Sequence, residues 1–135
     1  VRADSTPVKN RFFYLRLLRA SLVLGALYDL AFAALMVLAP QLPARLLDLP
    51  LPGERFCRSI LAVLLTMLAL LYLVAAEDPR RYSAVVVVAA LGRCAGAVAF
   101  GASAFGRPEL GGLWPLAGVD LGFGLAHAFL WQRQR

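Results

Sequence analysis

Residues 15–38 read LRLLRASLVLGALYDLAFAALMVL, and the reading of this stretch decides the fold. Beyond Arg19 it continues to Leu38 with Asp29 as its one charged residue. A helix needs roughly 20 predominantly apolar residues to cross the hydrocarbon core of a bilayer. An amphipathic helix of a soluble protein would turn a polar face to water; here leucine, valine and alanine occupy every side. The basic residues Arg11, Arg16 and Arg19 precede the run as they would in a secretory leader, but the run is too long for a leader's apolar region and three more spans follow. The chain opens on Val1, which fits either a trimmed precursor or an alternative start codon.

Outward from this first span the pattern repeats. Pro40 stops the helix, and residues 40–53, with prolines at 40, 43, 50 and 52, cannot span. Within them residues 44–49 are expected to form a short helix lying in the interface. Further spans are expected over 56–76, 82–105 and 113–131. The turn Glu77-Asp78-Pro79-Arg80-Arg81 is short enough to make the second and third an antiparallel hairpin. Phe12, Phe13 and Tyr14 form an aromatic belt ahead of the first span, and Trp114 and Trp131 bracket the last. The expected fold is an all-α membrane protein: a four-transmembrane-helix antiparallel bundle with a short interfacial helix between the first and second spans, residues 1–135 forming a single integral membrane domain.

Composition agrees. The chain is 61% apolar and 16% charged, against about 25% charged in soluble proteins. Its net charge of +6 does not point to nucleic acid, because the arginines stand at the ends of apolar runs and not along a basic face with stacking aromatics. Basic residues are instead biased in topology. Arg2, Lys9, Arg11, Arg16, Arg19, Arg80, Arg81, Arg133 and Arg135 fall on one side, and Arg45, Arg55, Arg58 and Arg107 on the other. The richer side is expected to be cytoplasmic, which puts both termini inside a bacterial cytoplasmic (inner) membrane.

Three ionisable residues lie well inside the spans: Asp29 in the first, Arg93 in the third and Asp120 in the fourth. Each costs about 2.5–3.5 kcal/mol at a helix centre on insertion scales. Counted from the span ends, all three fall in the middle to outer half of the bilayer, where one guanidinium with five donors can bridge two carboxylates. A buried Asp29–Arg93–Asp120 network is therefore expected. It is short of one positive charge, so either a carboxylate is protonated or a proton, cation, cationic ligand or partner supplies the difference. The network fixes how the helices pack, or it also binds a ligand or handles protons.

Around these charges Gly92 and Gly96, and Gly118 and Gly122, have the small-x-x-x-small spacing that lets helices approach closely. His127, seven residues after Asp120, shares its helix face; with Tyr28 it is a candidate extension of the network. A neutral histidine can also ligate haem or a chlorophyll magnesium, but His127 is alone in the chain. Packing through hydrogen bonds is the plainer expectation, and no cofactor or metal is expected. Tyr72 and Thr66 could also extend the polar interior, but interface or backbone hydrogen bonding is the plainer reading of both. Cys57 and Cys94 lie in different spans without a paired-cysteine motif and are read as small apolar core side chains. No serine, histidine and acid grouping, phosphate loop or redox cysteine pair supports common hydrolase, kinase or thiol chemistry.

Several short motifs together resemble the DoxX-like group of small bacterial four-span proteins. They are Tyr28-Asp29, the exit Leu38-Ala39-Pro40 with its loop Leu46-Leu47-Asp48-Leu49-Pro50, Leu91-Gly92-Arg93, and Gly118-Val119-Asp120. The resemblance implies an association with membrane redox complexes. The leading expectation is thus a non-enzymatic accessory or structural subunit that packs in the lipid bilayer against other membrane subunits of a larger, energy-converting complex. A small-molecule or proton binder or transporter using the charge network is the alternative. A small membrane enzyme acting on a lipid or isoprenoid through Asp29 and Asp120 is a third.

Overall fold

The computed structural model describes residues 6–50 and 53–134, with side chains from residue 11 onward. Five α-helices and one 3-10 turn account for most of them: α1 Thr6–Leu38, α2 Gln41–Leu46, α3 Arg55–Glu77, α4 Ser83–Ala104 and α5 Leu113–Gln134, with the 3-10 turn at Pro108–Leu110. The four long helices are each long and apolar enough to cross a membrane, and they pack into one bundle. This is a multi-pass, all-α membrane protein.

Each long helix turns an inward stripe to its neighbours at alternating spacings of three and four residues. On α1 the stripe is Leu18, Leu22, Gly25/Ala26, Asp29, Ala33 and Met36. On α3 it is Ala62, Ala69, Tyr72 and Ala75/Ala76. On α4 it is Val86, Ala89/Ala90, Arg93, Ala97 and Ala104, and on α5 it is Ala117, Asp120, Gly124, His127, Trp131 and Gln134. This is the seam periodicity of packed helices. The faces opposite are apolar as well, with Leu24, Leu27, Leu64, Met67, Leu91, Val98 and Leu125 among the exposed side chains, as lipid requires.

The helices pair unevenly. α1 packs broadly against α3, α4 against α5, and α1 meets α5 between these pairs; α3 and α4, although joined by the shortest connection between two long helices, touch sparsely. That connection is tied by Asp78, whose Oδ1 accepts from the backbone N–H groups of Arg80 (3.1 Å) and Arg81 (3.2 Å). At the same end of the bundle Arg19 donates to the Glu77 carbonyl (2.9 Å) and Arg80 Nε to Gln134 Oε1 (3.1 Å). The large core side chains Leu18, Leu22, Tyr72, Val86 and Trp131 cluster in this half.

The long helices depart from the expected spans most at the start of α1, which begins at Thr6 and not at residue 15; α2 and α5 differ as well. α2 occupies Gln41–Leu46 in place of residues 44–49. It starts directly after Pro40, and Pro43 falls in the first turn, where a missing N–H costs nothing. It ends early because Asp48 takes a positive φ of 48°. With Asp48 left-handed, its N–H reaches the Arg45 carbonyl (3.4 Å) and the Leu49 N–H the Ala44 carbonyl (2.8 Å), closing a Schellman motif in which aspartate stands where glycine is usual. α5 continues past residue 131, and Trp131 is core rather than an interfacial anchor, being 9% exposed on the inward stripe. Trp114 at the other end is exposed, as an anchor should be. Cys57 faces outward and Cys94 is half-buried, so the expectation that both are core fails for Cys57.

Candidate functional site

The inward stripes bring the three intramembrane charges together. Arg93 on α4 donates from Nη1 to Asp120 Oδ1 on α5 and from Nη2 to Asp29 Oδ1 on α1, both at 2.7 Å. Nη2 also reaches the Gly25 carbonyl at 3.2 Å. The three residues are 1%, 5% and 7% exposed for Asp29, Arg93 and Asp120. Charge-assisted bonds of this length are strong in a low-dielectric interior. They leave two polar atoms unmatched: Asp29 Oδ2 and Arg93 Nε are buried without a hydrogen-bond partner.

Aromatic rings complete the enclosure. The Arg93 guanidinium carbon lies 5.3 Å from the Tyr28 and Phe123 ring centroids and 5.5 Å from that of Tyr72, within cation–π range. Tyr28 therefore joins the cluster through its ring face. Tyr72, read from the sequence as an interface or backbone-bonding residue, is fully buried beside Arg93. Phe123 and the Gly25 carbonyl were not singled out at all; the signal that finds Gly25 and Tyr72 is their place on the inward stripes.

His127 is buried on the face it shares with Asp120, but no hydrogen bond joins it to the network. Its ring stands edge-on to Tyr72 at 6.0 Å, and Phe123 lies 6.0 Å away. The Ser21 backbone faces it, outside ordinary hydrogen-bond geometry for either ring nitrogen. It lines a second, smaller cavity of about 190 Å³ between α4 and α5 with Val86, Ala90 and Trp131. Among the described residues no three His, Cys, Asp or Glu side chains are grouped as a metal would need.

The four packing glycines behave differently from one another. A side chain at Gly96 would meet Asp120 Oδ2 at 2.5 Å, so Gly96 is what lets Asp120 lie against α4. Gly92, Gly118 and Gly122 have open space where a Cβ would stand, and all three face outward. Gly92 and Gly118 lie one residue off the inward stripes, about 100° of helix rotation, and Gly122 lies two residues from both Asp120 and Gly124. The close approach of α5 to α4 is made by Gly124 instead, where a Cβ would come within 2.7 Å of Cys94 Sγ and 3.2 Å of the Ala90 carbonyl.

On the side of the network away from the core cluster the bundle opens into a cavity of about 330 Å³. Asp29, Arg93 and Asp120 stand at its floor with Tyr28; the other lining side chains are apolar, Phe32, Met36, Leu61, Leu65, Phe100 and Leu116 among them. The segment carrying α2 covers its outer end through Pro43, Ala44, Leu47 and Leu49. This cover is seated on the turn before α5, where Gly112 lies directly beneath the Leu47 carbonyl and the Leu49 side chain, leaving no room for a Cβ. The size is near the lower end of small-molecule pockets, roughly 300–1,000 Å³. An apolar chamber with charge at one end can hold an apolar body and orient a polar head. Because Arg93 engages both carboxylates, neither is an unencumbered base.

Comparison of the chain with protein-family models, with curated proteins and with solved structures finds no match. The likeness to the DoxX-like group rests on the short motifs alone.

Proposed function

We propose that this protein is a membrane-embedded binder of a small amphiphile, which lodges between the helices with its polar end at Asp29, Arg93 and Asp120. The observation that carries this reading is the cavity of about 330 Å³ with those residues as its floor. The network stands open to this cavity on one side, whereas the largest buried side chains, Leu18, Leu22, Tyr72 and Val86, pack together in the opposite half. An accessory subunit needs a face that prefers protein, and the outward leucines and valines serve lipid equally well; we therefore place ligand binding ahead of assembly. We assign the protein to a bacterial cytoplasmic membrane with both termini inside, on the bias of the arginines.

Native mass spectrometry on protein extracted with its surrounding lipid tests the reading. The wild-type protein is expected to carry a bound small molecule that Leu65→Trp, which fills the chamber, excludes. Ala44→Leu, acting from the cover, should weaken the same binding. A wild-type spectrum identical to that of Leu65→Trp, in a variant that retains its fold by circular dichroism, would overturn it.

A further inference from the structure

We infer that the amphiphile is a lipophilic cation: a protonated amine or comparable monovalent head on an apolar body. This rests on the binding reading above and specifies the class of ligand. Three observations carry it. The floor of the chamber holds one guanidinium and two carboxylates, and no other charged side chain among the described residues lines the chamber. Asp29 stands in the wall with Oδ2 buried and unmatched by any donor, although its Oδ1 is satisfied by Arg93. Finally, the aromatic side chains of Tyr28, Phe32 and Phe100 line the same space, and aromatic rings attract a desolvated cation.

A carboxylate oxygen without a donor is costly in an apolar interior. An ammonium head in the chamber supplies the missing charge, and it supplies the missing donor once the buried Oδ2 turns toward it. A carboxylate or phosphate head could accept from the unmatched Arg93 Nε, but it would add a second uncompensated negative charge to a cluster that already holds two carboxylates against one guanidinium. A neutral hydroxyl satisfies the donor but leaves the charge. The rival explanation is a proton: if a carboxylate is simply protonated, the cluster is already neutral and the head has no reason to be cationic.

Three probes sharing one apolar body decide between these: 4-phenylbutylamine, 4-phenylbutanol and 4-phenylbutyrate, titrated against the full chain in phosphatidylcholine nanodiscs with protein-free nanodiscs as the blank. The amine is expected to bind at least about tenfold more tightly than the alcohol, a difference of about 1.4 kcal/mol, with the carboxylate weakest. Asp29→Asn, and separately Asp120→Asn, should bring amine and alcohol to within about twofold of each other while the alcohol still binds. The amine-to-alcohol ratio in the wild-type protein needs no variant and so does not depend on either one folding. Equal binding of amine and alcohol, lost together in Leu65→Trp, would leave the chamber as a binding site and overturn the cationic head. Binding of none of the three would overturn both readings.

Discussion

Arg93 is the residue on which the interior depends, because it alone offsets two carboxylates placed in the membrane. Removing one member of a buried ion network costs about 3–5 kcal/mol, since the remaining charges are left uncompensated. Arg93→Leu is therefore expected to lower the thermal unfolding midpoint in detergent steeply. Adding Asp29→Asn and Asp120→Asn should recover part of the loss, because no buried charge then remains. An unchanged midpoint in Arg93→Leu would show that the carboxylates do not need the guanidinium. At this scale the sequence is unusually legible: a charge in an apolar run is conspicuous, and the depth of each could be counted from the span ends. Tyr72, Phe123 and the Gly25 carbonyl were harder to see, because an aromatic or a backbone oxygen in a span has many possible duties and its neighbours come from other helices.

At the scale of the element, the helices are set by apolar length and their contacts by the three-and-four stripe. Stripe position separates the glycines cleanly. Gly96→Ala places a methyl against Asp120 Oδ2 and is expected to cost about 1–3 kcal/mol through forced displacement of the carboxylate. Gly92→Ala, Gly118→Ala and Gly122→Ala point into open space and should be neutral or raise the midpoint slightly, since alanine favours a helix by up to about 1 kcal/mol over glycine. The opposite ranking in unfolding midpoints would place the helix contacts elsewhere. The small-x-x-x-small spacing named Gly96 together with three glycines that face outward, because spacing repeats along a helix without saying which face is inward. Counting in steps of three and four from Asp120 finds Gly124, His127, Trp131 and Gln134. α2 was located but misplaced by three residues, for its end is set by the left-handed Asp48, a conformation seldom legible in a residue other than glycine or asparagine.

Over the whole molecule the packing is asymmetric. One half holds the large buried side chains and the ties among Arg19, Glu77, Arg80 and Gln134; the other holds the chamber and its cover, with the charge network at the boundary. The proposed topology predicts a matching asymmetry in labelling. In a background carrying Cys57→Ala and Cys94→Ala, Arg107→Cys should react with a membrane-impermeant maleimide from outside intact cells, and Arg80→Cys only after lysis. The reverse pattern would put the termini outside. The sequence by itself determined the four spans, their order and the presence of an Asp29–Arg93–Asp120 cluster, because lipid penalises exposed backbone and lone charges severely enough to leave a clear mark in composition. Only the tertiary structure decided that the cluster forms the floor of a chamber. That space is what remains where α1, α4 and α5 converge on Arg93 while α3 stands away from α4, and a void between helices belongs to no residue and leaves no pattern in the chain.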